Sequence, residues 1–472
     1  MVTRLVRPGK RAQPRIRTNR LGPTYDVYMT TVAPHGRAGR LGPLIGLVVV
    51  LAGCGGSPDS LAPTASGEPA GSTAPSASVA DPSPSASVGS IAAELDGLLA
   101  DLERIHPEPF HAVERAEFVD ALDAYEAELP EMTPEEAAVG LMRVWAMLSR
   151  ERDGHQFAFV QAGHEYPILP IRIYEFAEGV YVTAAIGVPS LVGARITAIG
   201  DTPIDDVLNA VEPLVPLDGP ETLRPHRPIL LLRTEVLRGL GIVAEGTVAM
   251  TVERNDGTEQ TIDLEPMPAD EYTAWAGPFG IFQLPTDERV HYLASDESFS
   301  AELLDDGTAY LRYRFVESPA LAEVSGWIEE GAVQRLVLDL RQNPGGDNGT
   351  YGTLRQLVVD FAEANPGAVT VLTDGVTFSA ASNLATEIEQ RTDARFVGEP
   401  MGGGLNFWDD VTWLELLSLP TPMRAAVSTT YWQFASAEDP RLTIEPDVLV
   451  PITAADYFAG RDPALEAALS DD

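Results

Sequence analysis

Lysine and cysteine are almost absent from this sequence: Lys10 and Cys54 are the only ones in 472 residues. With one cysteine no intramolecular disulfide can form. With no lysine beyond position 10, none can act as a catalytic base in a folded unit further along. Basic residues are scarce altogether, 32 Lys and Arg against 70 Asp and Glu, for a formal net charge of −38. Little positive charge is left to neutralise phosphates, which argues against a nucleic-acid partner. The seven histidines stand at positions 35, 106, 111, 155, 164, 226 and 291. No two have a spacing such as H-x-x-x-H, so neither a metal site nor a cofactor is expected.

What is present describes a globular protein: 44% apolar and 22% charged residues, in a chain long enough for two or three folded units. Residues 1–53 hold nine of the basic residues and one acidic residue. There, Arg37 and Arg40 precede a short apolar run that ends in Leu51-Ala52-Gly53-Cys54. A basic region, a short apolar core and small residues form a secretory signal, and the run is short for a transmembrane helix. The ending resembles a bacterial lipobox, which implies that Cys54 is lipidated and anchors an exported protein to the cell membrane. Met29 is an alternative start. Residues 55–90, nearly all Ser, Pro, Ala, Gly and Thr, cannot bury enough apolar surface to fold and read as a disordered tether.

Residues 91–148 have helical apolar spacing throughout, with Thr133-Pro134-Glu135-Glu136 as a helix start. Asp153-Gly154-His155 then forms a turn into a strand carrying Phe157 and Phe159. Residues 91–160 are thus a helical subdomain that ends in this turn. Residues 165–270 hold many short strands, including a hairpin around Asn255-Asp256-Gly257. The piece from Val192 to Leu208 resembles the signature of PDZ domains, with Gly200-Asp201 in reversed order. Such modules bind extended peptides at a sheet edge; a purely packing role is the other reading.

Residues 271–472 alternate strands and helices, which implies a largely parallel sheet. Leu336–Leu340 is a buried strand, followed by Arg341-Gln-Asn-Pro-Gly345-Gly346, whose glycines let a ligand approach the backbone. Val369–Thr373 is the next strand. From Ser379 the apolar period becomes helical, with Ala381, Leu384, Ala385 and Ile388 on one face. Ser379 therefore sits where a strand turns into a helix, beside unpaired N–H groups and the positive end of the helix dipole. That suits a nucleophile whose product is an oxyanion; a plain N-cap is the bland alternative.

These segments, LVLDLRQNPGG, VLTDGVTFSAASNLATEIE and RFVGEPMGGG, closely resemble the C-terminal-processing (tail-specific) serine peptidases. The resemblance implies an α/β fold: a ClpP/crotonase-like core with the N-terminal helical subdomain and the PDZ-like module. It implies a polypeptide substrate, with membrane contact only through the lipid anchor. Oligomeric state stays open. The best-known branch pairs its serine with a lysine in a G-K-G motif, which this chain lacks. The tricorn-core-like branch takes its base from a D-G-H motif, which Asp153-Gly154-His155 matches. The implied roles are Ser379 as nucleophile, His155 as base, and Gly345 or Gly346 with Ala380 as oxyanion-hole donors. A downstream glutamate would support the histidine, Glu438 ahead of Glu445. The alternatives are a catalytically silent relative that binds peptides or ligands, and a crotonase-type acyl-CoA enzyme. An α/β-hydrolase is disfavoured because Thr377-Phe-Ser-Ala-Ala lacks G-x-S-x-G.

Overall fold

A computed structural model describes residues 88–277 and 280–470 of the chain. The expected signal segment, Cys54 and all but the last residues of the expected tether lie outside them. Among the described residues no helix is long and apolar enough to cross a membrane.

The N-terminal part forms three helices, Val88–Ile105, Arg115–Glu128 and Pro134–Ala146. The third begins as its sequence requires. Thr133 accepts from the Glu136 N–H and the Glu136 carboxylate accepts from the Thr133 N–H, a reciprocal capping box. Its buried face carries Val139, Leu141, Met142 and Trp145. The Trp145 indole donates to the carbonyl of Ala426, 281 positions away, so this helix is bound to the far end of the chain. The strand Ala158–Val160 extends the tie by pairing antiparallel with Met423–Val427.

Residues 171–264 build an antiparallel sheet in the spatial order Ile171–Phe176, Gly179–Ala185, Arg195–Ile199, Val248–Glu253, Glu259–Leu264. The short strand Thr202–Pro203 pairs with Arg195–Ile199. The hairpin expected around Asn255-Asp256-Gly257 is the Val248–Glu253 and Glu259–Leu264 pair. The long insertion in this region is helical, Leu223–Leu231 and Thr234–Gly239. A single apolar cluster joins the N-terminal helices to this sheet, from Leu95 through Trp145 to Val252.

A second sheet positions the candidate site. Its order is Val448–Leu449, Arg395–Gly398, Val369–Thr373, Arg335–Asp339, Thr308–Tyr313, Phe299–Leu303. All neighbours run parallel except the last pair. Alternation along the strands gives it two apolar faces. Leu336, Leu338, Val369 and Val371 face the helices Gly352–Ala364 and Ala380–Arg391, while Val337, Leu372 and Val397 face Pro463–Leu469. Leu384 and Ile388 are fully buried at the first face; truncating Leu384 to Ala would cost about 2–5 kcal/mol. Because Arg335–Asp339 and Val369–Thr373 are adjacent and parallel, the loops at their carboxyl ends emerge side by side. In open α/β sheets that edge is where ligands bind.

Candidate active site

Ser379 lies at the end of one of these loops. Asp374, at the foot of the turn, accepts from the N–H groups of Val376 and Thr377 and from Gln342 of the neighbouring loop. Thr377 is fixed through its hydroxyl to the Leu340 carbonyl. Ser379 itself has φ +53° and ψ −128°, a conformation a non-glycine residue holds only where its surroundings impose it. It occupies the N-cap position of Ala380–Arg391, yet its side chain makes no capping bond. The bland reading of Ser379 as a cap therefore has no hydrogen bond to support it.

The glycine loop packs against this turn. A Cβ on Gly345 would lie 2.6 Å from Ser379 Cβ and 3.0 Å from Ala380 N, so only glycine allows this approach. Gly345 and Gly346 have φ of +109° and +147°. Ala380 is the first helical residue, and its N–H has no acceptor inside the helix. The Gly345 N–H donates to Asn343 Oδ1 at 2.9 Å. Gly346 is paired with Val316, whose N–H donates to the Gly345 carbonyl and whose own carbonyl accepts from Asp347 N–H. Of the three expected oxyanion-hole residues, Gly345 packs directly on Ser379 and Ala380 follows it in the chain, while the close contacts of Gly346 are with Val316.

His155 arrives from the opposite side. Arg152 adopts φ +60°, and the N–H groups of Arg152 and Asp153 donate to the carbonyls of Asp218 and Leu217. The Asp218 carboxylate accepts from Gly154 N–H at 2.6 Å and from Gly404 N–H at 3.1 Å. It clamps the Asp-Gly-His turn to the glycine triplet Gly402-Gly403-Gly404, which itself lies against the Ser379 turn. A Cβ on Gly402 would meet the Gly375 carbonyl at 2.0 Å, and one on Gly403 would meet Ser382 Oγ at 2.1 Å. The His155 ring stacks between Phe378 and Phe407, with centroids 4.8 and 5.4 Å away. It is 1% exposed, and neither ring nitrogen has a hydrogen-bond partner among the described residues. Burial holds its pKa below the usual imidazole value, partly offset by the charges of Asp218 and Asp410.

Between Ser379 and His155 stands Asp409, which the sequence did not single out. Its Oδ2 lies 3.5 Å from Ser379 Oγ and 3.5 Å from His155 Nε2. Burial pushes its carboxyl up to about 7, so near neutral pH it is partly protonated. Asp218 is raised by burial to about 6. Glu438 and Glu445 are both exposed. The Glu438 N–H donates to Ser436 Oγ, and neither glutamate bonds to Ser379 or His155 among the described residues. The acid that the structure brings to the serine and the histidine is Asp409.

A second polar cluster lies behind the same turn. His106, His111 and Asp153 bring their ligand-type atoms within 4.8 Å of one another, a grouping not legible in the spacing. Their lone pairs are committed. His106 Nδ1 accepts from Glu108 N–H, so Nε2 carries the proton and donates to Asp153 Oδ2 at 3.2 Å. Both His111 nitrogens face backbone carbonyls, of Glu108 and Glu151. Asp153 Oδ1 accepts from Ser428 Oγ at 2.6 Å. The donor set fits a hydrogen-bonded network and not a metal site.

No protein-family model and no curated protein matches the chain. Solved structures do. A serine-to-alanine mutant of CPAF superposes with a TM-score of 0.56 at 14% identity, covering 81% of this chain and 96% of that one. Mature CPAF complexed with lactacystin gives 0.56 at 14%, covering 81% and 97%. The photosystem II D1 C-terminal processing protease is more remote, with a TM-score of 0.40 at 14% identity over 81% and 98% of the two chains. The chain thus has a mixed α/β fold of several sheets, and over 81% of its length that fold is similar to CPAF's.

Proposed function

We propose that this protein is a serine peptidase of the C-terminal-processing type, on the tricorn-core-like branch that works without a Ser–Lys dyad. The observation that carries the reading is the meeting of Ser379, strained and uncapped at a helix N-terminus, with His155 and Asp409. Ser379 Oγ attacks a peptide carbonyl and passes its proton to His155. The imidazolium so formed stands beside the Asp409 carboxylate, a pairing that stabilises it. The oxyanion is held by the Ala380 N–H, the helix N-terminus and the Gly345–Gly346 loop. His155 then gives its proton to the leaving amine, the C–N bond breaks, and water releases the acyl group from Ser379. The fold likeness to CPAF supports this reading, as does the parallel sheet that presents both loops. A ClpP/crotonase-like core, a PDZ-like role for residues 165–270 and export with a lipidated Cys54 belong to the same proposal. They rest on the sequence motifs.

A fluorophosphonate probe tests the reading directly. Folded wild-type protein should label, and Ser379→Ala and His155→Ala should not, with folding checked by circular dichroism. One observation favours a second reading, a silent peptide-binding relative: in the structure Ser379 Oγ contacts a carboxylate and not the imidazole. Folded wild type that resists labelling, even with added peptide, while binding peptide as well as Ser379→Ala does, would establish that reading instead. Lactacystin, held in one CPAF structure, is a second probe for the same site.

A further inference from the structure

The chain has more than two acidic residues for each basic one, yet it gathers three arginines where no carboxylate pairs with them. Arg172 lies on the strand Ile171–Phe176, Arg312 on Thr308–Tyr313, and Arg314 follows directly. Arg312 and Arg314 are 3% and 7% exposed. Arg312 is satisfied by the carbonyls of Tyr292, Ser295 and Glu297. Arg314 Nη2 donates to the Leu284 carbonyl and Arg172 Nη2 to the Gln283 carbonyl. Arg172 Nε and Arg314 Nη1 have no acceptor among the described residues. The other arginine of comparable burial, Arg341, is bracketed by Asp339 and Asp462 at 2.6 and 2.7 Å. A buried guanidinium without a counter-charge is costly, and in so acidic a chain the omission is not for want of carboxylates. Burial, with the repulsion of Arg312 and Arg172, lowers even the Arg314 guanidinium to about 10.

Arg172 and Arg314 both line a cavity of about 340 Å³, together with Gln283, Ser298 and two carboxylates, Asp296 and Glu317. Neither carboxylate forms an ion pair with either arginine; Glu317 instead accepts from Ser298 Oγ. We propose that this cavity binds a carboxylate group through Arg172 and Arg314. A guanidinium fork matches the two oxygens of a carboxylate and supplies the missing counter-charge. Asp296 and Glu317, both exposed on the cavity wall, oppose a second negative charge and so favour a carboxylate over a phosphate dianion. The site is coupled to the glycine loop. Gln283 Nε2 and Leu284 N–H bond to Gln342 at 2.6 Å each, and Val316, two residues past Arg314, pairs with Gly346.

The test is melting and calorimetric titration of the full chain with acetate and with phosphate, at ionic strength fixed with sodium chloride. Acetate should raise Tm saturably beyond the chloride control. Arg172→Gln and Arg314→Gln should each weaken that binding at least tenfold. Asp296→Asn, at an exposed position that leaves folding intact, should tighten both anions and help phosphate more. A peptide with a free carboxy end that competes with acetate, where its amidated form does not, would name a chain end as the source. Competition by neither peptide would name free small carboxylates. Melting that follows chloride alone, or binding unchanged in both Arg172→Gln and Asp296→Asn, overturns the proposal. Those two variants decide the matter should Arg314→Gln fail to fold.

Discussion

Asp153 and His155 are two residues apart on one turn and equally hidden from solvent, but their surroundings are opposites. On the Asp153 side every polar atom is used: Ser428 and His106 bond its two oxygens, and Glu108 bonds the far nitrogen of His106. On the His155 side the contacts are few and long: Asp409 Oδ2 stands 3.5 Å from both Ser379 Oγ and His155 Nε2. Both imidazole nitrogens and Asp409 Oδ1 lack hydrogen-bond partners among the described residues. Buried polar groups are almost always bonded, so a cluster of orphans beside a strained serine marks groups reserved for chemistry. On the proposed mechanism the bonded side holds the turn in place and the unbonded side is the one that reacts.

The histidine pair gives the strongest way to break this comparison. His155→Ala should lower the fluorophosphonate labelling rate by roughly 10²–10⁴-fold. Any stability it loses should come from the cavity left between Phe378 and Phe407 and not from a broken hydrogen bond. His106→Ala should cost about 2–4 kcal/mol, read by urea denaturation, because it leaves a buried Asp153 oxygen without its donor and a cavity in place of the ring. Full labelling retained in His155→Ala, with labelling lost in a folded His106→Ala, would reverse the two assignments.

The pH dependence of stability sharpens it. Burial raises Asp409 to about 7 and Asp153 to about 8, so the folded state holds protons that the unfolded state has lost. Stability from these groups is therefore present at low pH and falls as pH rises from about 4 to about 8. His106 and His226, both lowered to about 4 by burial, act in the opposite direction, but only below about 6.5. Above that pH the carboxylates stand alone, and Tm should decline by several degrees between pH 6.5 and 8. Asp409→Asn should flatten the decline while reducing labelling. A slope identical to wild type would show that Asp409 is not the group being titrated.

The smallest expected effect belongs to Glu438. Because the carboxylate is exposed and the acid near His155 is Asp409, Glu438→Gln should change labelling by less than about threefold. A drop comparable with that of Asp409→Asn would return the supporting role to Glu438.

The legible parts of the sequence were those encoded locally. The Thr133 capping box, the strand at Val369–Thr373 and the change of period at Ser379 each depend on residues within a few positions of one another. The Asp-Gly-His turn was legible as a motif, and its meeting with Ser379 was implied by the resemblance alone. Asp409 and Asp218 were not legible. In Phe407-Trp408-Asp409-Asp410 and Leu217-Asp218-Gly219 they read as ordinary turn acids. Their importance comes from contacts across the chain: Asp218 bonds Gly404, 186 positions away. The unpaired arginines were hidden for the same reason, since a missing partner is a property of space.

The glycine triplet bears on how this chain could change over generations. A side chain of any kind introduced at Gly402 or Gly403 would enter space that is already filled. There the first carbon would strike the Gly375 carbonyl or Ser382 within about 2 Å. No single codon change could place a side chain there unless the backbone retreated first, which would disturb the neighbouring clamp through Asp218 and Gly404. The tight passage thus acts as a ratchet, holding both positions to glycine for as long as the turn it presses on stays where it is.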